Sequence, residues 1–179
     1  MKKNALTSMT RVALSAAALS IISQIAIPSP AGVPMTLQTF SIAFLGFLLL
    51  PKLASCSIGL YLLLGAVGVP VFANLKGGLP HLFGLTGGFL WGMPALAFCC
   101  GLACECANRY LRLLLPALGL LICHAAGVVQ YSLLSDISLW AGFVLVSLPY
   151  LVKDFIFVYA AYFICRPIRK QLVKSKLLQ

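Results

Sequence analysis

The sequence predicts an all-α integral membrane protein, a bundle of six transmembrane helices with a re-entrant outer loop. Three observations predict it. The 179 residues are 61% hydrophobic and only 9% charged, with a mean hydropathy of +1.04, whereas soluble domains are about 25% charged. Six apolar stretches approach the roughly 20 residues that a helix needs to span about 30 Å of hydrocarbon. The 13 Lys and Arg residues sit mostly at the ends of those stretches. A chain of this length suits one compact unit, so residues 1–179 read as a single transmembrane domain.

The spans are expected at roughly 11–27, 35–50, 54–71, 86–106, 111–131 and 145–165, with a basic cytoplasmic tail over 166–179. The segments between them (IPSPAGVP, PKLAS, FANLKGGLPHLFGLTGG, NRYLR, LLSDISLW) hold most of the Pro, Gly and polar residues, as turns require. Charge then sets the orientation. With both termini cytoplasmic, the inner segments collect Lys2, Lys3, Arg11, Lys52, Arg109 and Arg112, together with Arg166, Arg169, Lys170, Lys174 and Lys176 of the tail. Only Lys76 falls in an outer loop, so the bias is eleven to one and favours an even number of spans. This predicts a multi-pass protein of the plasma membrane.

Positive flanks of this kind read as topology signals and contacts with anionic lipid. The net charge of +10 does not point to nucleic acid, because no aromatic residues interleave with the basic tail to stack on bases. The N-terminus allows one other reading. MKKNALTSMTR followed by VALSAAALSIISQIAI has the charged and apolar regions of a secretory signal peptide, and cleavage near Ala31 would leave five spans. The charge count favours keeping the first helix.

Within that first span, Ala13 and Ala17 with Ser15, Ala16 and Ala18 form a smooth face where another helix can come close. Such a face serves either packing inside the bundle or docking of a partner subunit. Further on, GAVGVPVFANLKGGLPHLFGLTGGFLWG (65–92) is too loose for a span yet apolar enough to fold back on the bundle. Irregular backbone at membrane depth survives only when buried or lining a cavity. A re-entrant lid over an outward-facing pocket is the expectation, with Asn74, Thr86, Phe89 and Trp91 available to line it; a plain connecting loop is the alternative.

The fourth span contains CCGLACEC (99–106), which with His81 or His124 invites a metal site. The paired spacings of a zinc site are missing, and cysteine is a good small apolar residue in a buried helix. Packing is the preferred reading. The only acids are Glu105, Asp136 and Asp154, and no nucleophile–base motif or phosphate-binding GxxxxGK[ST] loop is present. No catalytic residue, metal or cofactor is therefore assigned, and any uphill transport draws on an ion gradient or a separate subunit.

The last span, within LPYLVKDFIFVY (148–159), places Lys153 and Asp154 side by side in an apolar run. A charge at the bilayer centre costs about 2.5–3.5 kcal/mol, so such residues mark a binding site or pathway. Neighbours on a helix point about 100° apart, and Asp154 is not the natural face-sharing partner of Lys153. Snorkelling of Lys153 to the outer headgroups is the competing reading.

VPMTLQT (33–39), YLLLGAVGVPVFA (61–73) and GLTGGFLWG (84–92) together resemble signature segments of the BioY family, biotin-binding subunits (S components) of energy-coupling-factor transporters. The resemblance implies a six-helix subunit that captures biotin from outside and delivers it inward, with a transmembrane coupling subunit and two cytosolic ATPases that use ATP. It implies that Ala13 and Ala17 dock the coupling subunit. It also implies ligand contacts from Asn74 and from a P-x-x-x-G-D-x-x-K pattern in the last helix. Pro149 and Asp154 match that pattern, but Lys153 holds the Gly position and Phe157 the final Lys position.

A Lys one turn earlier shares a face with position 157, roughly 6 Å away along the axis. Asp154, helped by Asn74, is expected to accept the ureido N–H donors of biotin. Lys153 would offset Asp154, the valerate carboxylate, or both. Phe72, Trp91 and Tyr150 would enclose the rings and chain, with Thr86 completing the site. The alternatives are a subunit for another small vitamin or a biotin-related ligand and, more remotely, a membrane enzyme or a structural protein.

Overall fold

The computed structural model describes residues 2–28 and 33–175. The chain is mostly helical. Helix α1 (Lys2–Ile22) leads through a small antiparallel hairpin, β1 (Ala26–Ile27) on β2 (Met35–Thr36), into α2 (Gln38–Leu48) and α3 (Pro51–Ala66). An irregular segment follows, with a 3₁₀ turn at Ala73–Leu75 and the short α4 (Leu79–Leu82). It ends at α5 (Gly87–Glu105), after which α6 (Arg109–Ser135), α7 (Leu139–Val146) and α8 (Leu148–Lys174) complete the chain. The signal-peptide alternative with cleavage near Ala31 falls among residues 29–32, outside the described residues.

Among the described residues four helices are long and apolar enough to cross a membrane: α1 over Ala5–Ile22, α5, α6 and α8. Helices α2 and α3 are apolar but shorter. At 11 residues α2 is only about 16 Å long. It is nevertheless central, packed on α5 and α8 with Ile42, Ala43 and Phe47 fully or almost fully buried. Pro51 at the first turn of α3 begins that helix where its missing N–H costs nothing. Large apolar side chains such as Leu14, Leu63, Leu133, Val152 and Phe163 are exposed on the outside of the bundle, the surface expected against lipid.

The glycines of GLTGGFLWG set the crossing of α5 and α6. A Cβ at Gly92 would fall 2.5 Å from Cys123 Cα, and one at Gly88 would fall 2.1 Å from the Ala126 carbonyl oxygen. Only glycine lets the two backbones approach this closely. In the cysteine run, Cys99 and Cys100 are buried in the bundle, and all seven cysteines are free thiols. Among the described residues no three His, Cys, Asp or Glu side chains gather as metal ligands.

Two details add to the expected spans. The apolar run expected as one span over 145–165 is split at Ser147, with α7 on one side and α8 on the other. The basic segment expected as a tail from 166 is helical through Lys174, and its Arg169 guanidinium donates to the Phe47 carbonyl at 2.8 Å. A cation there satisfies a carbonyl that the end of α2 leaves without an intrahelical partner.

Candidate functional site

The hairpin, α2, the 67–86 segment, α5, α6 and α8 converge on a cavity of about 270 Å³. Its apolar wall includes Ile42, Met93, Leu96 and Leu120, and its polar lining includes Gln38, Asn74, Lys76, Thr86, His124, Lys153 and Asp154. Seven residues that the sequence offered for the pocket line it: Phe72, Asn74, Thr86, Phe89, Tyr150, Lys153 and Asp154.

Trp91 does not. It is 49% exposed, donates its indole N–H to the Leu82 carbonyl at 3.0 Å and lies beside Phe83, bracing α4. Positions 89 and 91 are about 200° apart on a helix, so only one can face inward. Phe89 takes the inner place, edge-on to the His124 ring at 5.7 Å.

The polar centre of the cavity is built around Asp154, which is only 5% exposed. Its Oδ1 lies 2.7 Å from the Lys153 ammonium and its Oδ2 lies 3.3 Å from His124 Nε2. The sequence expectation that adjacent Lys153 and Asp154 point apart is thus overturned, because the flexible four-carbon stem of Lys153 folds back to its neighbour. Lys153 also donates to the Thr36 carbonyl at 3.2 Å, and its ammonium sits 4.9 Å from the Phe157 ring centroid. It does not snorkel. Phe157 therefore lies under Lys153 and packs edge-on against Phe40, and it is not among the cavity-lining residues.

The contact between Lys153 and Oδ1 is a close ion pair, and a carboxylate oxygen so placed still has acceptor capacity toward the cavity it lines. His124, which the sequence reading considered only as a metal ligand, completes the group. Its Nδ1 lies 2.9 Å from Ser147 Oγ. In the tautomer protonated at Nε2, it donates to Oδ2 and accepts from the Ser147 hydroxyl, so both buried groups are satisfied. The signal that could have found His124 is the one used for Asp154, an ionisable residue within an apolar span.

The 67–86 segment is organised by Phe72 and Lys76, whose backbones exchange hydrogen bonds at 2.9 and 3.3 Å. Between them Asn74 (φ 60°, ψ 38°) and Leu75 (φ 56°) occupy the left-handed region. Phe72 anchors the turn, buried against Tyr61 at 5.5 Å between ring centroids. A Cβ at Gly65 would lie 2.0 Å from Phe72 Cζ, so the Gly65 of GAVGVPVFA makes room for the ring. Lys76 is exposed and lines the rim, and it forms no ion pair among the described residues. His81 lines the same rim, where burial and then the Lys76 charge push its pKa below the ordinary histidine value.

Across the cavity the hairpin is tied to α8. Tyr150 donates its hydroxyl to the Val33 carbonyl at 2.6 Å, and Lys153 holds Thr36 as described. On the outside of the bundle, Ala13 and Ala17 share the exposed side of α1, while Ser15, Ala16 and Leu19 are buried. The alternative in which Ala13 and Ala17 pack inside this bundle does not describe the fold.

The family model described as the BioY family matches residues 1–174. The chain belongs to the BioY family. Its BioY relatives include the "Probable biotin transporter BioY" of Pyrococcus horikoshii, 37% identical over 145 residues that cover 81% of this chain and 85% of that protein. The "Biotin transporter BioY" of Thermotoga maritima is 42% identical over 97 residues, 54% of this chain and 57% of that protein. The fold is similar to the crystal structure of the S-component for biotin from an ECF-type ABC transporter. That match has a TM-score of 0.83 and 26% identity, covering 95% of this chain and 94% of the other.

Proposed function

We propose that this BioY chain is the biotin-binding subunit of an uptake transporter and that the cavity described above receives the vitamin. The observation that carries the reading is the charge pattern of the cavity. A buried carboxylate, oriented by Lys153 and His124, lines the cavity, while an exposed cation that forms no ion pair among the described residues, Lys76, stands at the rim. Biotin has the complementary pattern, with two ureido N–H donors at one end, a carboxylate at the other and an apolar body between them.

In this reading Asp154 accepts from the ureido group and Asn74 adds a polar contact from the loop. A hydrogen bond to a charged group contributes about 1.5–3 kcal/mol. Lys153 neutralises Asp154, which leaves the valerate carboxylate to Lys76. Phe72, Phe89 and Tyr150 enclose the bicyclic ring and chain, with Thr86 beside them. The role is binding and transfer, and no residue is assigned a catalytic part. Phe157 lies outside the lining, so the departure from the family pattern supplies no argument for a different vitamin.

The chain is read as one transmembrane domain of six spans in the plasma membrane, both termini cytoplasmic, with α2 and α3 as the two short spans. The 67–86 segment and the hairpin form the outer, partly re-entrant cover. The exposed small-residue face of α1 at Ala13 and Ala17 docks a transmembrane coupling subunit, and two cytosolic ATPases supply the energy. Equilibrium binding of biotin to the purified chain tests the central part. Saturable binding that Asp154→Asn weakens supports it, and a folded wild type without binding refutes it.

A further inference from the structure

Helix α1 does more than present an outer face. Beyond its last turn the chain reaches Ser23 and Gln24, and both side chains cross to the 67–86 segment. The fully buried Ser23 hydroxyl donates to the Val71 carbonyl. The Gln24 amide nitrogen donates to the Val71 carbonyl at 3.1 Å and approaches the Pro70 carbonyl at 3.4 Å. Its amide oxygen accepts the Leu75 backbone N–H at 2.8 Å. One side chain thus grips the loop both before and after Asn74.

The Leu75 N–H belongs to the Asn74–Leu75 peptide, the plane set by ψ of Asn74 and φ of Leu75. Both residues occupy the left-handed region, which non-glycine residues rarely hold without outside support. Leu75 is 71% exposed, so its side chain offers little packing that would hold the turn. The Phe72–Lys76 backbone pair closes the turn from outside it, and the peptide itself is held where its N–H donates to the Gln24 side chain. Asn74 lines the cavity, and its presentation depends on that peptide plane.

We propose that Gln24 is a positioning residue for ligand capture: it clamps the Asn74–Leu75 peptide and holds Asn74 in its cavity-facing conformation. The loop consequently rides on α1, the helix whose exposed face carries Ala17 and Ala13 about 10 and 16 Å below the clamp. Displacement of α1 by a docked partner moves the ligand loop with it. This inference rests on the reading of the cavity as a biotin site with Asn74 as one of its contacts. Preorganisation is the physical gain, because a loop already in its bound conformation loses less freedom when ligand arrives.

The test uses the purified full chain and biotin, with wild type, Gln24→Leu, Leu75→Gly and the double variant Gln24→Leu/Leu75→Gly. Glycine adopts the left-handed region without steric cost, so it lessens the need for the clamp. Gln24→Leu is expected to weaken binding about tenfold or more, Leu75→Gly to bind like wild type, and the double variant to recover most of the loss. A merely structural glutamine would not be rescued at an exposed position of another loop. Gln24→Leu binding like wild type, or a double variant as weak as Gln24→Leu, would overturn the proposal.

Hydrogen exchange over residues 72–78 reads the clamp without ligand and is expected to quicken in Gln24→Leu; unchanged exchange also overturns the proposal. Gln24→Ala provides the same comparison should leucine not be accommodated. Absence of biotin binding by wild type would refute the functional reading, and the exchange measurement would still decide the clamp.

Discussion

Replacing Asp154 by Asn keeps the shape of the side chain and removes the charge that organises the cavity. In the native site Oδ1 faces the Lys153 ammonium at 2.7 Å, and Oδ2 faces His124 Nε2 at 3.3 Å. The amide changes both ends. A neutral acceptor exchanges a charge-assisted hydrogen bond for an ordinary one, a loss of about 1–1.5 kcal/mol. Its NH₂ must then face either His124 or the ureido donors, and a buried donor without an acceptor costs about 1–3 kcal/mol more. Together these give about 2–4 kcal/mol, or roughly thirty- to a thousandfold in Kd.

Asp154→Asn also leaves Lys153 without its counter-charge, so thermal stability is expected to fall. The double variant Lys153→Met/Asp154→Asn removes the orphaned cation and should recover stability without recovering affinity. Isothermal titration of biotin into detergent-purified protein measures the first quantity and thermal melting the second. Asp154→Asn binding biotin within threefold of wild type, while folded, would refute the assignment of the carboxylate as ureido acceptor.

Other substitutions separate the remaining roles. His124→Gln, whose amide nitrogen reaches the place of Nε2, is expected to bind biotin within a few-fold of wild type. His124→Phe should lose about tenfold or more, and equal losses in the two would deny His124 its orienting part. Lys76→Met should weaken biotin binding but leave biotin methyl ester unchanged, since the ester lacks the charge that Lys76 would meet; parallel losses for both ligands would count against the pairing. Ala13→Leu with Ala17→Leu should leave biotin affinity of the isolated chain intact and abolish uptake in cells that contain the coupling module. Unaltered uptake would remove the docking role from that face.

Much of the fold was legible because lipid imposes simple demands. Apolar length and the placement of basic residues marked the segments that became the longer helices. The glycines of residues 65–92 marked an irregular segment, whereas the close crossing of α5 and α6 at Gly88 and Gly92 emerged only from the structure. Asp154 was legible for the same reason, since a charge in an apolar run needs a purpose. What escaped depends on side-chain reach and on distant partners. The pairing of Lys153 with Asp154 defies the facing rule for adjacent residues because that rule describes Cβ directions, whereas a lysine stem can fold back. His124 acquires its meaning only when α6 meets α8, 30 positions along the chain. Trp91 was misplaced because phase within α5 was not resolved from its neighbour Phe89. The break at Ser147 interrupts an unbroken apolar run, so hydropathy carried no mark of it, and Gln24 became informative only once Leu75 was seen in a left-handed conformation.

The claim at the centre of this account is that the cavity recognises a ureido group at a buried carboxylate and a carboxylate at the rim. Equilibrium binding of labelled biotin to the purified wild-type chain, competed with lipoate, tests it most directly. Lipoate carries the acidic tail and a sulfur ring but no ureido group. Biotin is expected to bind saturably at one site per chain, and a hundredfold excess of lipoate is expected not to displace it. Folded protein that does not bind biotin, or that yields it to lipoate as readily as to unlabelled biotin, would contradict it.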